Sequence, residues 1–299
     1  MTRTTRLLAA LIAAAALAGT AHAQELTGTL KKIKDTGSIT IGHRESSIPF
    51  SYLDDKQQPV GYAMDLCARV VDAIKAELKM PNLKVTLQPV TSSNRIPLLQ
   101  NGTIDMECGS TTNSVERQKT VSFSVSYFVT NVMAVVKKSS GITSIAGLTG
   151  KPVSTTSGST SVQLIKAHEK GKGVDLKEIY GRDHAESFLL LESDRTVAFV
   201  MDDILIAGFI ANSKSPGDFV FLPEVLRTEP YGVMLRRDDA PFKAVVDKTL
   251  VGIYKSGEIN KIYAKWFQSP IPPKGSNLNF PVSKELTELF RNPNDRGVQ

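Results

Sequence analysis

Three arginines, a histidine, an aspartate and several hydroxyl side chains stand where an α/β protein collects its ligand chemistry. Arg44 follows the apolar segment Ser38–Gly42, and Ser92 and Arg95 follow Val85–Val90. Ser110 and Thr112 follow Ile104–Glu107, with Arg117 close behind, Thr160 lies between a strand-like and a helix-like segment, and Asp202 closes Val197–Met201. A guanidinium offers a planar fork of donors that matches a carboxylate two to two, and such charge-assisted bonds are among the strong ones. Each contributes about 1.5–3 kcal/mol when well made. The hydroxyls and N–H groups of Ser157–Thr160, just before a helix start, add a further site for negative charge. Asp202 could take a ligand ammonium group or cap the following helix, a role for which Asp203 competes. His184 either meets a second carboxylate or sits solvated beside Asp183. Surface arginines commonly pair with nearby acids, but their shared position after strand-like segments favours a common anionic ligand.

Those positions depend on an alternation of strands and helices. Ala63, Leu66, Cys67, Val70, Val71, Ile74 and Leu78 recur at steps of mainly three and four, giving one apolar helix face that Pro81 stops. A short helix runs from about Asn94 to Gly102. Further on, strand Val153–Thr156, helix Ser161–Glu169, strand Leu176–Tyr180, helix Ala185–Glu192 and strand Val197–Met201 repeat the pattern. Such alternation predicts βαβ units and mainly parallel sheets. Ligands of open α/β sheets bind beyond the carboxyl ends of the strands, where the residues named above fall.

The chain has 299 residues, 41% of them hydrophobic and 22% charged, with a formal net charge of +6. That composition suits a globular protein of one large or two moderate domains. The positive excess forms no run of Lys or Arg and accompanies no nucleic-acid motif, so nucleic-acid binding is set aside. Arg3 and Arg6, the apolar Leu7–Ala18 and the Ala21-His22-Ala23 site make residues 1–23 a secretory signal peptide. Its apolar run is too short to span a bilayer, and its removal lowers the balance to +4. Export places Cys67 and Cys108 in an oxidising space, where a pair commonly forms a disulfide. Closing that loop of about 40 residues stabilises by about 3–4 kcal/mol. Two buried free thiols are the alternative. No nucleophile elbow, zinc helix or Walker-type phosphate loop is present, and His43, His168 and His184 lack zinc spacing. No catalytic residue, metal or cofactor is expected.

The stretches SNRIPLLQNGTID, ECGSTTNSVERQ, SGSTS, AFVMDD and KWFQSPIPPKGSNLNF resemble the periplasmic solute-binding proteins of ABC transporters. The likeness is to their polar amino-acid group, and within it to the glutamate/aspartate-binding branch. It implies the two-lobed type II periplasmic-binding-protein fold, with two mainly parallel sheets joined by a two-strand hinge. Lobe 1 would comprise residues 24–131 and 234–299 and lobe 2 residues 132–233, with crossings near Thr130–Met133 and Tyr231–Met234. Carried over by position, the resemblance gives Arg117, Thr112 and Thr160 the ligand α-carboxylate, and Ser110 and Asp202 the α-ammonium. It gives Arg44, Ser92, Arg95 and His184 the side-chain carboxylate. Three arginines less Asp202 would leave the pocket near +2.

The implied function is hinge-closing capture of L-glutamate or L-aspartate in the periplasm, by a monomer that delivers it to an inner-membrane permease. A small-acid dehydratase on the same fold would need a general acid or base, for which only His184 and Asp202 are available. A binder of dicarboxylates lacking an amine would leave Asp202 facing an anion.

Overall fold

The computed structural model describes residues 26–173 and 175–299, so the expected leader 1–23 lies outside the described residues. Two sheets form the frame. The first is built from β1 (Ser38–His43), β2 (Lys84–Pro89), β3 (Met106–Cys108), β4 (Val121–Phe123) and β11 (Met234–Arg236), in the order β2-β1-β3-β11-β4. The second is built from β5 (Phe128–Lys137), β6 (Pro152–Thr156), β7 (Lys177–Gly181), β8 (Ala198–Asp202) and β9 (Phe219–Phe221), in the order β7-β6-β8-β5-β9. A further strand, β10 (Arg227–Tyr231), runs antiparallel to the first half of β5.

The chain completes four strands of the first sheet, enters the second along β5 and returns along β10 to insert β11 between β3 and β4. Strands linked through helices pair in parallel, β1 with β2 and β3, and β6 with β7 and β8. The strands on either side of the two crossings pair antiparallel, as β11 does with β3 and β4, and β5 with β8, β9 and β10. Each sheet is therefore mixed and open. The expectation of mainly parallel pairing came from the alternating segments, which contain none of the crossing strands.

Helix α1 (Gly28–Thr36) leads into β1. Helix α2 (Tyr62–Leu78) buries Leu66, Cys67, Val70, Val71, Ile74 and Leu78, the face its periodicity specifies. It ends on Lys79 in the left-handed conformation, two residues before Pro81. Gly61 opens it at φ 138, where a Cβ would lie 2.3 Å from the Phe50 carbonyl oxygen. The short helices α3 (Arg95–Gln100) and α4 (Val115–Gln118) follow β2 and β3. The second sheet carries α5 (Thr160–Lys172), α6 (His184–Glu192) and α7 (Asp203–Asn212). Helices α8 (Ala240–Ser256), α9 (Glu258–Phe267) and α10 (Lys284–Arg291) close the chain against α2 and β5.

The largest core holds an aromatic cluster at the foot of the crossing strands. Phe50 packs edge-on against Phe128 of β5 at 4.8 Å and Tyr231 of β10 at 5.1 Å between ring centroids. Phe128 stacks on Phe267 of α9 at 5.2 Å. Such pairs add about 0.5–1.5 kcal/mol each beyond area burial. Both crossing strands are thus anchored in one packed core. Cys67 and Cys108 form a disulfide that ties α2 to the end of β3. Among the described residues, no helix is long and apolar enough to cross a membrane.

Candidate functional site

Strand-end loops of the two sheets meet face to face. Gly158, at φ +75 between β6 and α5, lies so close to the main chain of Ser92 and Ser93 that a Cβ would sit 2.7 Å from Ser93 Cα. The Gly158 carbonyl accepts from Arg117 Nη2 at 3.2 Å, while Arg117 Nη1 donates to the Thr112 carbonyl at 2.9 Å. One guanidinium thereby spans both loop sets.

The other two arginines are deeply buried. Arg44 follows β1 and is 1% exposed, yet neither Nη1 nor Nη2 has a hydrogen-bond partner. Burial, and then the charge of Arg95, push its pKa down to about 10. Arg95 opens α3, donates from Nη1 to Thr111 Oγ1 at 2.5 Å and leaves Nε unpaired. Ser92 is buried with its Oγ unpaired. His184, at the start of α6, is 2% exposed and its Nδ1 meets Thr156 Oγ1 at 2.9 Å. Burial, followed by Arg44 and Arg95, holds its pKa well below the ordinary 6.5, so the ring is neutral near pH 7. Arg44 and Arg95 from the first sheet and His184 from the second are near enough for the two guanidinium charges to act on the imidazole, and Arg44, Arg95 and Ser92 keep unused donors. Partially desolvated Arg117 is also pushed down, to about 9, by burial and then by Arg95.

Asp202 ends β8 with one carboxylate oxygen accepting from Tyr231 and the other, Oδ1, unpaired. Its carboxyl is held well above the usual range, first by burial and then by the charge of Glu229. The capping alternative does not hold, because Asp202 makes no side-chain cap bond to α7. Asp203 accepts from Ile204 N at 2.7 Å and from Thr130 Oγ1 at 2.6 Å, tying the start of α7 to β5. Ser110 Oγ donates to Ser47 Oγ at 3.1 Å.

Two buried carboxylates were not singled out by the sequence reading. Glu107 accepts from Thr111 Oγ1 at 2.5 Å and lies 3.9 Å from Arg95. Glu229 accepts on one oxygen from Thr112 Oγ1 at 2.5 Å and Thr160 Oγ1 at 2.8 Å. Arg227 holds its other oxygen through Nη2 at 2.5 Å and Nε at 2.9 Å. An acid between Met106 and Cys108 in an apolar strand was a usable signal for Glu107. Glu229 offered none locally. Arg44, Arg95, Arg117 and Arg227 against Glu107, Glu229 and Asp202 leave a formal +1, not the +2 that three arginines and Asp202 imply. Residues 157–160 behave as expected of a helix start: Ser159 caps α5 without a side-chain bond, so the first N–H groups of the helix stay available.

The profile of bacterial extracellular solute-binding proteins, family 3, matches residues 39–269. The chain belongs to that family. It is 52% identical to the L-glutamate/L-aspartate-binding protein of Pseudomonas aeruginosa, over 98% of this chain and 97% of the relative. It is 46% identical to the glutamate/aspartate import solute-binding protein of Escherichia coli, over 97% of each. A solved ancestral arginine-binding protein bound to glutamine superposes with a TM-score of 0.69 at 30% identity, covering 77% of this chain and 98% of that one. The fold is the family's two-lobed α/β binding-protein fold, and family members are extracellular solute-binding proteins.

Proposed function

We propose that the protein captures L-glutamate and L-aspartate in the periplasm and hands them to an inner-membrane ABC permease, without catalysis and as a monomer after removal of residues 1–23. Unpaired buried atoms at the site, which also include Glu107 Oε1, carry the reading: the Arg44 nitrogens, Arg95 Nε and Ser92 Oγ as donors, and Asp202 Oδ1 as acceptor. Donors for a carboxylate and an acceptor for an ammonium are the complement of an acidic amino acid. The names carried by the relatives at 52% and 46% identity support the same ligand class.

In this reading Arg44, Ser92, Arg95 and His184 take the side-chain carboxylate. Asp202, with Ser110, takes the α-ammonium, which favours the ionised form of a carboxyl whose pKa is raised by burial and then by the charge of Glu229. Arg117 takes the α-carboxylate together with main-chain N–H groups near Thr112 and Thr160, because both hydroxyls already donate to Glu229. Lobe 1 comprises 24–131 and 234–299 and lobe 2 comprises 132–233, with the β5–β10 pair as hinge. Closure excludes water and strengthens each charge-assisted bond. A micromolar dissociation constant needs only about 8 kcal/mol, which a few such bonds supply.

Calorimetry of the ligand-free protein against a panel of amino acids tests the reading. Glutamate and aspartate bind, glutamine far more weakly, and Arg95→Ala weakens glutamate by more than about 100-fold. Glutamine bound as tightly as glutamate, or glutamate affinity unchanged in Arg95→Ala, overturns it.

A further inference from the structure

Glu229 has a position no ligand group shares. It sits on the crossing strand β10 and is fully buried. Its Oε2 accepts from Thr112, in the loop after β3 of the first sheet, and from Thr160, at the start of α5 on the second. The opposite oxygen is fixed by two nitrogens of Arg227, whose remaining Nη1 donates to the main-chain oxygen of Gln299 at 2.7 Å. Gln299 belongs to a segment beyond the 39–269 family match. That segment is itself laced to the first sheet's loop, because Val298 exchanges main-chain hydrogen bonds with Asn113 and Val115 at 3.0 and 2.9 Å.

We infer that Glu229 is a positioning residue that latches the two lobes in the closed arrangement, with Arg227 and the Gln299 segment as its backing. The inference rests on the hinge-closing reading above and is independent of which amino acid binds. Three observations bear on it. A single carboxylate oxygen accepts from hydroxyls carried by different sheets, so separating the lobes breaks at least one of these bonds. The carboxylate cannot swing away with either lobe, because Arg227 is on the same strand and grips it from behind. The two threonine hydroxyls spend their protons on Glu229, so their loops are set at a fixed spacing before any ligand carboxylate arrives. Such preorganisation lowers the ordering cost of binding, and the closed population in the free protein sets the apparent affinity.

The experiment reads lobe separation directly. Spin labels on Lys84→Cys and Lys177→Cys, exposed positions on edge strands β2 and β7, report the distance between the two sheets. Cys67 and Cys108 are paired and take no label. In the ligand-free protein, Glu229→Gln shifts the distance distribution toward longer separations, and glutamate at saturation restores the short one. The dissociation constant rises about tenfold, mainly through a faster off-rate. Thr160→Val, which removes one hydroxyl and keeps the Arg227 ion pair, gives the same shift in direction should Glu229→Gln fail to fold. In a double-mutant cycle the effect of Thr160→Val shrinks in the Glu229→Gln background. Distances that respond to no amino acid in wild type and in both variants overturn hinge closure itself. Wild type that closes on ligand, with distances and off-rate unchanged in both variants, overturns the latch alone.

Discussion

Buried charges at the site oppose folding, and their energetics can be read one side chain at a time. Moving Arg44 from 12.5 to about 10 corresponds to roughly 3 kcal/mol of unfavourable electrostatics at neutral pH. Burial and then the charge of Glu229 likewise disfavour the ionised form of Asp202, holding its carboxyl well above 3.8. A group raised in the folded state contributes stability at low pH and loses it as pH rises through the folded value. Asp202→Asn therefore raises the unfolding midpoint of the ligand-free protein at pH 7. The same substitution weakens glutamate by about 100-fold or more, because the ammonium loses its counter-charge. Differential scanning calorimetry and isothermal titration check the two halves. His184 works in the other direction. Its folded pKa lies well below 6.5, under burial and the facing Arg44 and Arg95. The unfolded chain thus binds the extra proton, and stability falls as pH drops below about 6.5, by at most about 1.4 kcal/mol per pH unit. Urea unfolding of the ligand-free protein between pH 5 and 7 shows that slope, and His184→Gln flattens it.

Helices and strands were legible where their pattern is local. The apolar face of α2 and the boundaries of β6, α6 and β8 agree with the sequence to within a residue or two. The antiparallel strands were not legible, because β11 reaches β3 across more than a hundred residues and pairing at that distance leaves no periodicity. The nine expected site residues were named because their types stand after strand-like segments, and the structure sets them at strand ends, in loops and in the first turns of helices of the two sheets. Glu229 was invisible for the opposite reason: its partners Thr112 and Thr160 lie 117 and 69 residues away. The disulfide is an element-scale device, joining α2 to the strand whose following loop carries Ser110 and Thr112. Its 41-residue separation corresponds to about 3–4 kcal/mol by the chain-entropy model. Cys67→Ala/Cys108→Ala lowers the free energy of unfolding by about that amount in urea titration, whereas an unchanged midpoint would mean the bond constrains nothing.

At the scale of the whole molecule, the +6 charge and the formal +1 of the seven charged groups at the site are separate matters. Most of the surplus lies elsewhere than the cleft, so the ligand is held by local pairing and not by the overall field. Capture should register as a change in global stability. A ligand that binds only the folded chain stabilises it by about 2.7 kcal/mol at a hundredfold excess over its dissociation constant. For a chain of this length that is a rise in Tm of about 5–11 °C. Thermal scans with glutamate or aspartate at that excess show it, and the same concentration of glutamine gives a much smaller rise.

The insertion of β11 between β3 and β4 has a consequence for the order in which the molecule comes into being. Among the described residues strand β4 pairs only with β11, so the first sheet stays in two pieces until residue 236 has been made. By then every strand of the second sheet has emerged. The part of the molecule that starts first is completed only after the second sheet, and until then the growing chain carries the β3 edge of its opening strands unpaired.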